Sequence, residues 1–212
     1  KYILSVITLL LTTLVFAQQK NRVTIKGTLT GDLKGYNKIY MYTRTSNDSA
    51  DIKDGHYTFS FPFAEAGMKM LYPEYIKESH MMYQPFGILI AEPGIYYVNS
   101  DIEKGMHASE LKGPEPMMLY KKFNDEQGRA SKKMYSVVAD IYGKDWYQIE
   151  ESDARYAGFK KSMDSLQEVY ILPLLEKLLK EHPDSYASAF VLSGSRQVGS
   201  IKEKEGLYNM LS

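Results

Sequence analysis

Four histidines, His56, His80, His107 and His182, are the first residues to weigh, because imidazole is the commonest metal ligand and the proton carrier of neutral pH. They show no HxH, HExxH or i, i+4 spacing, so a zinc site would need ligands converging from distant parts of the chain. His80-Met81-Met82 and Met106-His107, with Met68, Met70, Met117 and Met118 nearby, make a soft thioether and imidazole set of the kind that suits Cu(I). The repeated MxxM or HxM spacing of such sites is missing, and methionine also fills irregular gaps between a sheet and helices. Glu150, Glu151 and Asp153 are neighbours rather than acids facing each other across a cleft, and at a helix start their charge is simply favourable. Asn47-Asp48-Ser49 has the form of a glycosylation sequon and reads as a turn. Ser193-Gly194-Ser195 lacks nucleophile-elbow spacing and reads as a loop, and no GxSxG, P-loop or GxGxxG occurs. Tyr40, Tyr42, Tyr57, Tyr96 and Tyr97 offer rings for stacking on a sugar or a peptide, although rings at strand positions also pack across strands. No residue is assigned a catalytic, cofactor-binding or metal-binding role, and no cofactor is expected.

The chain has no cysteine, which removes thiol nucleophiles, CxxC redox chemistry, Fe–S clusters and thiolate zinc sites from these 212 residues. Its 26 Lys and Arg balance 26 Asp and Glu, so nothing draws in a phosphate backbone and nucleic acid is not an expected partner. With 44% hydrophobic and 25% charged residues the composition is that of a packed globular protein.

Ahead of the globular part, Lys1 precedes an apolar run from Ile3 to Phe16, and Val15-Phe16-Ala17 supplies the small residues of a cleavage site. A bilayer core of about 30 Å needs about 20 apolar residues, so residues 1–17 read as a secretory signal peptide rather than an anchor. Export to the periplasm is expected, with no integral membrane span after cleavage. No Cys follows the run, so lipid attachment there is excluded on chemistry.

The elements that would position any site fall into two parts. Residues 18–112 make the first, and from Arg22 to about Lys112 the pattern has period two: Val23, Ile25 and Leu29, then Ile39, Met41 and Thr43, then Tyr57, Phe59 and Phe61, each alternating with other residues. Asp54-Gly55 is a hairpin turn signal between the Ser49–Lys53 stretch and the Tyr57 strand, and Pro93-Gly94 separates Phe86–Ala91 from Ile95–Asn99. An antiparallel β sandwich of about six to eight strands is predicted. From Gly113-Pro114 onward, residues 113–212 read as an α-helical region, giving an α+β chain overall. Tyr156, Phe159, Met163, Leu166 and Tyr170 line one helix face, and Pro173 breaks that helix before Leu174, Leu175, Leu178 and Leu179. His182-Pro183-Asp184-Ser185 is a stop followed by a new cap. Ser200 and Glu203 form a capping box for a last helix that carries Leu207, Met210 and Leu211 to the chain end, a pattern that predicts truncation.

Several of these segments together resemble a known architecture: Val23-x-Ile25-x-Gly27, Lys38-Ile39-Tyr40-Met41-Tyr42, Asp48-Ser49-Ala50-x-Ile52-Lys53-Asp54-Gly55-x-Tyr57-x-Phe59 and Ala91-Glu92-Pro93-Gly94. The pattern is similar to the β-rich domain of unknown function that precedes a TlpA/AhpC-TSA-type thioredoxin-like domain in exported proteins of Gram-negative bacteria. His182-Pro183-Asp184-Ser185-Tyr186 and Leu207-Tyr208-x-x-Leu211-Ser212 resemble the spacer found there. The resemblance implies a periplasmic thiol–disulfide role whose cysteines lie after Ser212. It makes this chain the accessory part, with its own C-terminal thioredoxin-like domain or a client protein as partner. A stand-alone periplasmic binding module using the tyrosine-rich sheet is the alternative.

Overall fold

The computed structural model describes residues 21–43, 47–78, 86–195, 199 and 201–212. The segment read as a signal peptide, the His80-Met81-Met82 cluster and the capping residue Ser200 lie outside the described residues. The chain divides into two compact units between Met118 and Leu119.

The described residues of the first unit carry eight strands: β1 (Arg22–Thr30), β2 (Lys38–Tyr42), β3 (Asn47–Asp51), β4 (His56–Pro62), β5 (Gly67–Pro73), β6 (Phe86–Ile90), β7 (Gly94–Asp101) and β8 (Glu110–Lys112). They form two four-stranded sheets, in the orders β4-β1-β7-β8 and β3-β2-β5-β6. Period-two alternation sends Val23, Ile25, Leu29, Phe59 and Val98 from the first sheet, and Ile39, Met41, Leu71, Ile88 and Ile90 from the second, into one buried core. The α+β architecture, a two-sheet sandwich followed by helices, is the one the sequence predicts.

Its internal wiring differs from the predicted all-antiparallel sheet in one pair. β1 runs parallel to β7 over Val23 to Thr30 and is antiparallel to β4 on its other side. Parallel neighbours need a long crossover. Here the return is made by strands β2 to β6 and the five-residue helix Glu74–Glu78 among them, instead of a single long crossover helix. Asp54-Gly55 and Pro93-Gly94 do turn the chain where expected, but both carry it from one sheet to the other. At the first turn Asp54 and Gly55 both have positive φ, 50° and 75°. Lys53 and His56 exchange both backbone hydrogen bonds at 2.8 and 2.9 Å, the signature of a type I′ turn. The hairpin is one rung long, and β4 then leaves for the other sheet. Asn47-Asp48-Ser49, read as a turn, lies in β3.

Gly27 occupies an inward position of β1 directly opposite Tyr57 on β4. The Tyr57 ring lies over it, so close that a Cβ built on Gly27 would sit 1.8 Å from Tyr57 Cζ. A short helix α1 (Glu74–Glu78) follows β5. There the Glu74 carboxylate accepts from the Tyr40 hydroxyl at 3.3 Å, and Lys77 Nζ stands 5.1 Å from the centroid of the Tyr40 ring.

Pro114 is followed at once by α2 (Glu115–Tyr142), as its fixed φ and missing N–H favour at a helix start. The second unit continues with α3 (Tyr156–Tyr170), α4 (Leu172–Glu181), α5 (Tyr186–Gly194) and α6 (Ile201–Tyr208). Tyr156, Phe159, Met163, Leu166 and Tyr170 form the half-buried face of α3, as predicted. The break falls at Ile171, with Pro173 in the first turn of α4 where its missing N–H costs nothing. The Ser185 hydroxyl caps α5 by accepting from the Ala187 N–H at 3.3 Å. Leu172, Leu175, Leu178 and Leu179 bury the core face of α4 against Phe123, Val191, Leu192 and Leu207. A fully buried leucine is worth about 1.5–3 kcal/mol, so this stripe is the main source of the unit's cohesion.

Among the described residues, no helix is long and apolar enough to cross a membrane.

Candidate functional site

The residues singled out by type do not converge. His56 and His107 are exposed, and His182 lies at the end of α4. Among the described residues no group of three or more His, Asp or Glu is placed to hold a metal ion. The five tyrosines do not share a face. Tyr57 and Tyr96 are core residues, 3% and 0% exposed; Tyr40 and Tyr42 lie half-buried on the second sheet, and Tyr97 is exposed on the first. Met68 and Met70 point at Gly87, where a Cβ would meet their sulfurs at 3.1 and 3.2 Å, so the thioethers fill the gap above that glycine.

The acids ahead of α3 act locally. Asp153 accepts from the Arg155 guanidinium at 2.8 Å and from the Arg155 backbone N–H, and these bonds hold its carboxyl down at about 2. Glu151 accepts from the Tyr156 hydroxyl at 3.4 Å. Burial pushes the Tyr57 hydroxyl well above its ordinary range, and this hydroxyl has no hydrogen-bond partner. Tyr96 is pushed up by burial as well, although it donates to the Glu92 carbonyl at 2.7 Å, which offsets part of the effect.

A different place in the chain is built like a site. Within the helical unit a cavity of about 340 Å³ opens between α2, α3 and α5. One wall is a stripe of α2 at spacings of four, three, four and three: Tyr120, Asn124, Gln127, Ser131 and Met134. The facing walls bring Gln167 from α3 and Phe190 from α5. The Tyr120 and Phe190 rings meet edge to face at 5.6 Å. At the far end Tyr135 stacks on Trp146 with ring centroids 5.1 Å apart, which fixes the orientation of its ring. The Gln167 carboxamide oxygen is buried and has no hydrogen-bond partner. An unsatisfied buried acceptor costs about 1–3 kcal/mol, so its retention beside a cavity is informative. No Asp, Glu, Lys, Arg or His lines the space, and none of the groups with a shifted pKa reaches it.

Of the residues of this cavity the sequence draws attention only to Gly194 and Ser195, in a stretch that reads as a loop; the structure instead places Ser193 and Gly194 in the last turn of α5, with Ser195 capping it. Gly194 and Ser195 reach its edge, but the neighbouring hydroxyls serve the helix end: Ser193 donates to the Phe190 carbonyl and Ser195 to that of Val191. The signal available was the polar stripe of α2, which recurs at helical spacing on an inward face. A second recess, bordered by Leu119 and Leu178, holds about 20 Å³, room for no more than a water molecule.

Comparison with known protein families, curated proteins and solved structures returns no match to this chain.

Proposed function

We propose that this chain is a non-catalytic accessory module of an exported, periplasmic thioredoxin-like thiol–disulfide oxidoreductase, with the redox chemistry carried by a domain beyond these residues. One observation carries the reading: the residues of the family-like pattern have structural jobs. Val23, Ile25, Ile39, Met41, Tyr57 and Phe59 are core residues, Gly27 makes room for Tyr57, and Asp54-Gly55 forms a left-handed turn. A pattern of that kind marks an architecture rather than a reaction centre. With no cysteine in the chain, any thiol exchange must be performed by another domain. The partner is then either that thioredoxin-like domain or its client protein.

Two measurements test the reading. The coding frame after Ser212 should run into a thioredoxin-like segment with a Cys-x-x-Cys pair; a stop codon directly after Ser212 refutes the proposal. Osmotic-shock fractionation of the tagged gene product should release it with periplasmic markers, and retention with cytoplasmic markers refutes the export.

A further inference from the structure

We propose that the cavity of the helical unit binds an uncharged, hydroxyl-rich small molecule of the mono- or disaccharide class. The inference uses residues of the helical unit alone and does not depend on the role proposed above.

Three features define the ligand. The first is neutrality: in a chain with 25% charged residues, the walls carry no Asp, Glu, Lys, Arg or His. A phosphate, carboxylate or ammonium group would lose its water there without gaining a counter-charge. The second is the kind of polar group. Asn124, Gln127 and Gln167 present carboxamides, each with a donor and an acceptor side by side, and Ser131 adds a hydroxyl. An alcohol both donates and accepts, so adjacent hydroxyls of a sugar match a carboxamide. The partnerless Gln167 oxygen needs a donor of this kind. The third is the apolar surface. Phe190 and Tyr120 from facing helices, and Tyr135 held against Trp146, supply rings for the C–H faces of a pyranose. The 340 Å³ volume lies at the small end of the usual range for ligand sites, which suits one or two sugar rings.

The placement of the polar residues argues in the same direction. Asn124, Gln127 and Ser131 occupy the inward stripe of α2, where a helix ordinarily carries apolar residues. Among the described residues none of the three side chains forms a hydrogen bond. Unlike the Gln167 oxygen, their polar atoms are open to solvent, and a ligand offering several hydroxyls takes the place of that water at all three.

Trp146 is the only tryptophan in the chain and stacks on a wall residue, so its fluorescence reports on the cavity directly. The full chain is titrated with glucose, N-acetylglucosamine, maltose and cellobiose. Glucose 6-phosphate and the blocked dipeptide N-acetyl-glycylglycinamide serve as contrasts. At least one neutral sugar should give a saturable change with a dissociation constant of about 1 mM or tighter. Its binding should weaken at least tenfold in Gln167→Leu and in Ser131→Phe, with amide chemical-shift changes in the wild-type protein centred on α2, α3 and α5. Circular dichroism establishes that each variant is folded; if Ser131→Phe is not, Gln127→Ala takes its place. Absence of any saturable sugar response up to 10 mM, on the order of ten times the expected constant, overturns the proposal. So does sugar binding indifferent to Gln167→Leu, or tighter binding of the phosphorylated sugar or the peptide.

Discussion

Among the glycines, Gly27 leaves the least room for a side chain. In Gly27→Ala the new methyl would lie 1.8 Å from Tyr57 Cζ and 2.3 Å from both Cε atoms. Normal carbon contacts are at ~3.5–4 Å, so the ring must retreat by roughly 2 Å. It has little room, because Tyr57 is 3% exposed and its ring meets Phe59 edge-on at 6.1 Å. Overpacking a close-packed interior costs about 1–3 kcal/mol, and displacing the ring altogether approaches the ~3–5 kcal/mol lost when a buried aromatic is truncated. A loss of about 3 kcal/mol is expected, a large fraction of the ~5–15 kcal/mol that holds an ordinary domain together. Residue-resolved hydrogen exchange of the β1 and β4 amides measures it within the sandwich. The control is Gly27→Ala combined with Tyr57→Ala. If the clash is the cause, removing the ring relieves it, and the double variant is more stable than the sum of the single losses by about 2 kcal/mol. Additive losses, or a Gly27→Ala cost below about 0.5 kcal/mol, refute the reasoning, since changes of that size are ordinary for a surface site.

Four further perturbations test other parts of the structure. Gly55→Ala keeps φ near 75° only under strain, and should cost about 1–2 kcal/mol, read as a lowered midpoint in thermal unfolding. Because burial raises the Tyr57 pKa above its unfolded value near 10, the folded chain holds this proton longer than the unfolded one. The stability it contributes is complete below pH 10 and lost as pH rises beyond, so Tyr57→Phe should flatten the alkaline decline seen in denaturant titrations. Gln167→Leu removes a partnerless buried oxygen and should raise the sugar-free thermal stability by about 1 kcal/mol. The Asp153 carboxyl should titrate at about 2 by NMR, and Arg155→Gln should return it toward the usual carboxylate range. The sign follows from the depression: this contact supports the fold above pH 3.8 and ceases to as pH falls to about 2.

The parts of the fold legible in the sequence are those governed by short-range constraints. Pleat alternation placed Val23, Ile25, Ile39, Met41 and Phe59 in the core, because inside and outside differ by one residue along a strand. Pro114, Pro173 and Ser185 marked helix boundaries, because each acts on the backbone within one turn. The parallel β1–β7 pair joins residues about seventy positions apart, and nothing in either strand encodes which neighbour it takes. The type I′ turn at Asp54-Gly55 was recognisable, yet a turn specifies only the direction of its exit. That β4 crosses to the other sheet depends on the pairing of β1 with both β4 and β7, a property of the assembled sandwich.

The cavity escaped notice for a related reason. Sequence periodicity is counted over apolar residues, and at Asn124, Gln127 and Ser131 the inward stripe of α2 is polar, so the helix looks weakly amphipathic where it is most specific. The histidines and acids, the residue types most suggestive of chemistry, form no cluster among the described residues, whereas the polar side chains around the cavity are carboxamides and hydroxyls, set among rings and the apolar Met134, Ile171 and Val191. Such groups cannot activate water or carry a proton at neutral pH, but they can select a neutral ligand by hydrogen-bond direction and shape. A substitution that introduces charge should therefore be more damaging to binding than one that removes a single hydrogen bond. Gln127→Glu places an ion in the cavity that Gln127 lines together with Phe190 and Gln167, with no cation among the wall residues, so it should abolish the sugar response that Gln127→Ala only weakens. If Gln127→Glu binds the sugar as well as the wild type, the pocket is open to bulk water at that wall, and neutrality is not what selects its ligand.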